Sequence, residues 1–156
     1  MTYDELELLT YEELELMTYK QLQAITAVYD RTAQDVADKT AKGVLNATDI
    51  TRVENNAKTV GDKIAIPITP KSWETGGLPR ATADYLRLRT SVEAIRSGYG
   101  TFPNTPETPV QPLNSYQKWN DIEKILFDVN KLYDDTQKAL YYSGDELYSG
   151  ESVGIL

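Results

Sequence analysis

Leu45-Asn-Ala-Thr-Asp-Ile-Thr-Arg-Val-Glu-Asn-Asn56 decides how this chain is read, because it recurs in degenerate form. Set beside Ala81-Thr-Ala-Asp-Tyr-Leu-Arg-Leu-Arg-Thr-Ser91 and Leu113-Asn-Ser-Tyr-Gln-Lys-Trp-Asn-Asp-Ile-Glu-Lys-Ile125, it stacks at offsets of 35 and 34 residues. Ile50 then matches Tyr85 and Trp119, Val53 matches Leu88 and Ile122, Ala57 matches Val92 and Leu126, and Val60 matches Ile95 and Val129. Spacings of three, four and three put these positions on one face of a helix, with Arg52, Glu54, Arg87 and Glu123 among the polar positions beside it. The pattern predicts an all-α chain built on three amphipathic helices.

Each predicted helix has a start signal. Asn46 or Thr48 suits the first, Thr82 the second and Asn114 or Ser115 the third, with Pro79 and Pro112 keeping the preceding chain extended. Gly61 and Gly98 are the expected stops of the first two. Between the helices lie two Pro-rich linkers, Ile64 to Gly77 and Gly98 to Pro112, too long for simple turns. With Trp73 and Phe102 in them, they are expected to wrap across the helices, Trp73 acting as a clamp on the bundle.

Upstream, the text repeats every eight residues: Met1 to Leu8, Leu9 to Leu16 and Met17 to Ala24. Every copy carries capping-box spacing, Thr2 with Glu5, Thr10 with Glu13 and Thr18 with Gln21. Eight residues turn an α-helix by about 800°, so Tyr3, Tyr11 and Tyr19 would spiral on a continuous helix rather than form a stripe. The reading is therefore a staircase of short capped turns followed by a longer helix from Thr18 to about Lys42. Leu22, Ile25, Tyr29, Thr32 and Val36 form its seam, and Gly43 ends it. After Tyr133 the periodicity weakens. Tyr142-Ser-Gly and Tyr148-Ser-Gly suggest turns or a short hairpin, and Val153, Ile155 and Leu156 make an apolar close. Four zones follow: an acidic attachment segment 1–17, a long helix 18–43, a three-helix repeat region 44–133 and an acidic tail 134–156.

The chain has 156 residues, with 16 Lys+Arg against 24 Asp+Glu, for a formal charge of −8. Residues 1–17 hold six acids and no base, and residues 134–156 hold five acids and one Lys, so the excess charge sits at the ends. A nearly neutral centre packs on itself or on neighbours with little repulsion. The balance argues against a nucleic-acid partner, and no run reaches the roughly 20 apolar residues of a membrane span. The acidic start has the wrong sign for a signal peptide, and the reading is a chain made in the cytoplasm.

With no His and no Cys, imidazole-based triads, thiolate nucleophiles and Cys/His zinc sites are excluded. The adjacent acids (Asp4 with Glu5, Glu12 with Glu13, Asp134 with Asp135, Asp145 with Glu146) lie in solvated stretches where nothing raises a carboxyl pKa, so no glycosidase-like pair is expected. No calcium loop or phosphate loop is present. The reading is a non-enzyme without metal or cofactor. Arg80, Arg87, Arg89 and Arg96 form one cationic group, expected to pair with acids on neighbouring helices or subunits rather than with nucleic acid.

Several stretches resemble small tail or baseplate-associated proteins of phages and prophages of Gram-positive bacteria. They are Leu45 to Asn56, Thr69-Pro-Lys-Ser-Trp-Glu-Thr-Gly-Gly-Leu-Pro79, Tyr116 to Ile125 and the ending with Tyr148-Ser-Gly-Glu151. Arg52-Val53-Glu54-Asn55-Asn56 matches the Arg-Ile-Glu-x-Asn form of that group, whereas Arg89 stands where the second repeat would carry the acid. The resemblance implies a structural virion part of a tail tip, baseplate or fibre attachment, in several symmetric copies, assembled in the host cytoplasm beside other tail proteins. The interface is expected at Tyr3, Tyr11, Tyr19, Ile50, Val53, Trp73, Tyr85, Leu88, Trp119, Ile122, Tyr142 and Tyr148. Two rival readings are a receptor- or glycan-binding module using Trp73 or Trp119, and an acidic nucleic-acid mimic acting through residues 4–15.

Overall fold

The computed structural model describes residues 25–73 and 82–145, the last five as backbone alone. Among these residues the chain is all-α, with α1 (Ala33–Ala37), α2 (Ala47–Lys63), α3 (Thr82–Gly98) and α4 (Tyr116–Asp145). The octapeptide repeats, residues 74–81 and residues 146–156 lie outside the described residues, and with them Tyr3, Tyr11, Tyr19 and Tyr148.

The long helices α2, α3 and α4 are those predicted by the repeat. Asn46 caps α2 through a capping box with Asp49. Ser115 stands before α4, its hydroxyl accepting from the Lys118 N–H at 3.4 Å. Thr82 is the first residue of α3 rather than its cap. At the end of α2 the expected stop is corrected: the helix passes Gly61 and runs to Lys63. It closes where Ala65 takes a left-handed φ of 59°, the Ile66 N–H reaching back to the Gly61 carbonyl at 2.8 Å. Gly61 has a different task. A Cβ there would lie 2.6 Å from Ile68 Cγ1 and 2.7 Å from the Ile66 carbonyl oxygen, so the bare backbone lets the returning chain lie against the helix.

All the matched repeat positions are buried except Tyr85, which is half-buried and meets Trp119 edge-on at 6.2 Å. Together with Ile68, Leu113 and Ile125 they make one apolar cluster. Each full burial of such a side chain is worth about 1.5–3 kcal/mol. The helices run parallel. Arg52 on α2 bonds Glu123 on α4, and one end further on Lys63 bonds Asp134, each pair separated by 71 residues in sequence.

Parallel helices need return segments, and here these are extended straps lying in the grooves. Strap 2 (66–73) runs down between α2 and α3, from Ile66 and Ile68 beside Gly98 and Gly61 to Trp73 beside Thr51. Strap 3 (99–113), whose Gln111–Pro112 peptide is cis, runs down between α3 and α4. Strap 1 (25–32) fills the groove between α4 and α2.

Strap 1 corrects the described part of the expected helix from Thr18 to Lys42: from Ile25 to Thr32 the chain is extended, and among the described residues the one helical element before α2 is the single turn α1. Two forces explain this. Ile25, Thr26, Val28, Tyr29 and Thr32 favour extended backbone, and Thr32 must leave the helical region to cap α1, its hydroxyl accepting from the Asp35 N–H at 3.1 Å. Tyr29 leaves the expected seam to meet the Phe127 ring at 5.1 Å.

The C-terminal boundary is corrected as well. Residues 134–145 continue α4, so Tyr142-Ser-Gly is helical rather than a turn. Pairing of Lys131 with Asp135 across one turn, at 2.6 Å, supports this continuation.

Candidate functional site: clamps on the straps

Every groove holds its strap by polar side chains that reach the strap's main chain. On α4, Asn120 takes both backbone groups of Arg31, accepting from its N–H at 3.2 Å and donating to its carbonyl at 2.9 Å. One turn on, Glu123 accepts from the Val28 N–H at 2.6 Å. From α2, Asn56 donates to the Thr26 carbonyl at 2.7 Å. On α2 the same device recurs: Thr51 accepts from the Trp73 N–H at 2.8 Å and donates to its carbonyl at 3.2 Å, while Glu54 accepts from the Lys71 N–H at 3.3 Å.

These residues obey the repeat. Thr51 and Asn120 are equivalent, and so are Glu54, Arg89 and Glu123. Arg89 explains its departure from the acidic pattern by reversing the polarity: it donates to the Pro109 carbonyl at 2.8 Å, where its counterparts accept amides. Strap 3 is held further by Arg96 on the Pro106 carbonyl at 2.9 Å and by the Thr105 hydroxyl on Asp128 at 2.7 Å.

The acidic clamps Glu54 and Glu123 are buried, which demands full pairing. Glu123 has no exposed side-chain area and receives Arg31 and Arg52, each at 2.8 Å, besides the Val28 amide. Arg31, whose side chain is 4% exposed, places its other donors on the Lys42 carbonyl at 3.1 Å, the Val28 carbonyl at 2.6 Å and Asn120 at 3.3 Å. Burial works against the charge of Arg52, but Glu123 and Asp49 outweigh it and hold its pKa above the ordinary value. Glu54 receives the guanidinium of Arg87, which raises the Arg87 pKa chiefly through that hydrogen bond. Lys63 is different: burial lowers its pKa, although Asp134 partly compensates.

Of the residues expected at an intermolecular interface, Ile50, Val53, Leu88, Trp119 and Ile122 are corrected to core positions of a single chain. The stripes face one another because the three helices run parallel around one axis. Trp73 is half-buried against the core and tied to Thr51 through its backbone, with the Lys71 ammonium 4.2 Å above its ring. Tyr142 lies on the backbone of α4. Arg31, Asn120 and Asp128 were not singled out from the sequence. For Asn120 the signal was present, since it aligns with Thr51 in the repeat. Arg31 carried none, because its partner is 92 residues away.

A shallow cleft of about 260 Å³ opens beside the start of α4, lined by Val36, Leu45, Leu113, Tyr116 and Trp119 over Arg31. The donors of Arg31 turn away from it to strap and helix. Among the described residues there is no group of three metal-ligating side chains, and no helix is long and apolar enough to cross a membrane. Comparison with protein families, curated proteins and solved structures finds no match in any of the three.

Proposed function

We propose that the chain is a structural, non-enzymatic component of a phage tail tip, baseplate or fibre attachment, a bundle that carries its acidic segments as docking elements to neighbouring proteins of the particle. The observation that carries this reading is where the ends join the bundle. Strap 1 enters level with the second half of α2, through the bond from Asn56 to Thr26. At the other terminus, α4 runs from Asp134, level with the end of α2, to Asp145, a further 16 Å or so at 1.5 Å per residue. The described chain therefore begins and ends toward the C-terminal side of the helices, as suits end-on attachment. Buried ionic groups spent on fastening straps also suit a part that must keep its shape under load.

The resemblance of Arg52-Val53-Glu54-Asn55-Asn56 and of Tyr116 to Ile125 to phage tail proteins supports the setting. The test is sedimentation of the purified chain across a wide concentration range, together with capture of tail proteins from a lysate of cells producing the particle. Self-association or a captured tail protein supports the reading. A chain that stays monomeric at high concentration and captures no tail component overturns it.

A further inference from the structure

Strap 1 differs from its two counterparts in one topological respect. Straps 2 and 3 each join two helices of the bundle, so neither leaves its groove without dragging a helix along. Among the described residues strap 1 joins none: it precedes α2 and is linked to it by residues 33–46, fourteen positions that span about 45 Å when extended. Even so, its groove is a finished binding site for extended peptide. Asn120 reads both backbone groups of one residue, Glu123 the amide three residues earlier and Asn56 a carbonyl two before that. The Arg31 side chain supplies specificity, since Glu123, the Lys42 carbonyl and the Val28 carbonyl fix all three of its nitrogens.

We infer that the groove between α2 and α4 accepts residues 25–32 of a second copy in place of its own, so that copies link by strap exchange. The occupant follows from the groove itself, which is already complementary to this sequence down to the arginine fork. A swapped strap regains its contacts with α2 and α4, giving up the Arg31 bond to the Lys42 carbonyl, so exchange costs little beyond opening the connection that holds α1. That connection has a left-handed residue at Lys39, φ 51°, which unfolding residues 33–46 relaxes. The inference is independent of the phage setting: a chain that captures a tail protein but exchanges no strap keeps that and loses this.

The chain has no cysteine, so single labels are unambiguous. One full-length preparation carries a donor dye at Thr26→Cys on the strap, another an acceptor at Asn55→Cys on α2, and the two are mixed at high concentration. Expected are energy transfer that grows with time and a native mass of twice the monomer. Arg31→Ala in the donor chain weakens the strap equally in its own groove and in the exchanged one, so it is expected to leave the final transfer in place and to speed its onset at least tenfold. Arg31→Lys, which keeps the charge but loses the fork, serves if the alanine variant does not fold and is expected to speed the onset likewise. Absence of transfer between folded chains, or an onset unchanged in a folded Arg31 variant, overturns the inference, the latter because the copies then meet on another surface.

Discussion

Removal of the carboxylate in Glu123→Ala strips partners from three donors at once. Arg31 loses its ion pair in a site where its side chain is 4% exposed, Arg52 loses one of two acids, and the Val28 amide loses its acceptor. Arg52 is the least affected, being 24% exposed and still bonded to Asp49 at 2.7 Å. Arg31 is the costly one, since breaking a buried pair by removing one partner costs about 3–5 kcal/mol. That is a large share of the 5–15 kcal/mol typical of a domain. At a urea slope of about 2 kcal/mol/M, the denaturation midpoint falls by about 1.5–2.5 M. The chain has one cheaper response, which is to undock strap 1 and let water reach Arg31. Hydrogen exchange separates the two: the amides of residues 25–32 lose protection first, while those of Val53, Leu88 and Ile122 keep theirs. A double variant, Arg31→Met with Glu123→Leu, removes both charges and recovers most of the loss. If Glu123→Ala shifts the midpoint by less than about 0.3 M and leaves exchange at 25–32 unchanged, the clamp reasoning is refuted.

Other positions test other parts of the account. Gly61→Ala drives a Cβ against the Ile66 backbone oxygen and is expected to cost about 1–3 kcal/mol in urea denaturation, whereas Gly98→Ala meets the flexible tip of Ile66 and stays within about 0.5 kcal/mol. Ala65→Gly relieves the left-handed strain at φ 59° and gains about 0.5–1 kcal/mol by the same measurement. The Thr32 hydroxyl and then its amide bond the Asp35 carboxyl and lower its pKa, so the stabilisation is present above the ordinary aspartate range and lost as pH falls through the folded value. NMR titration should find Asp35 below the ordinary aspartate value and Thr32→Val should move it back up.

What the sequence made legible was local and periodic. Positions such as Val53, Leu88 and Ile122 announced themselves by helical spacing, and the structure buries them. Their mutual orientation was not encoded in that spacing, so stripes that close around one axis read equally well as surfaces for other molecules. Strap 1 was misread because Ile25, Tyr29, Thr32 and Val36 also satisfy a helical period. The contacts that decide against it, from Asn120 and Glu123, lie about 90 residues away. Gly61 misled for a related reason: glycine serves both as a helix stop and as a place where backbone approaches closely, and here Ile66 and Ile68 make it the second. Arg89 shows what a departure from a repeat is worth. A reversed charge at a clamping position still clamps, by switching from amide to carbonyl.

The central claim is that this chain is a repeated structural part of a larger protein particle, and the stoichiometry of the native complex measures it most directly. With the tagged chain isolated under mild conditions from the cells that make it, native mass spectrometry is expected to find several copies per complex alongside other particle proteins. A chain recovered alone, or in single copy with a small molecule bound and no protein neighbour, would contradict the account.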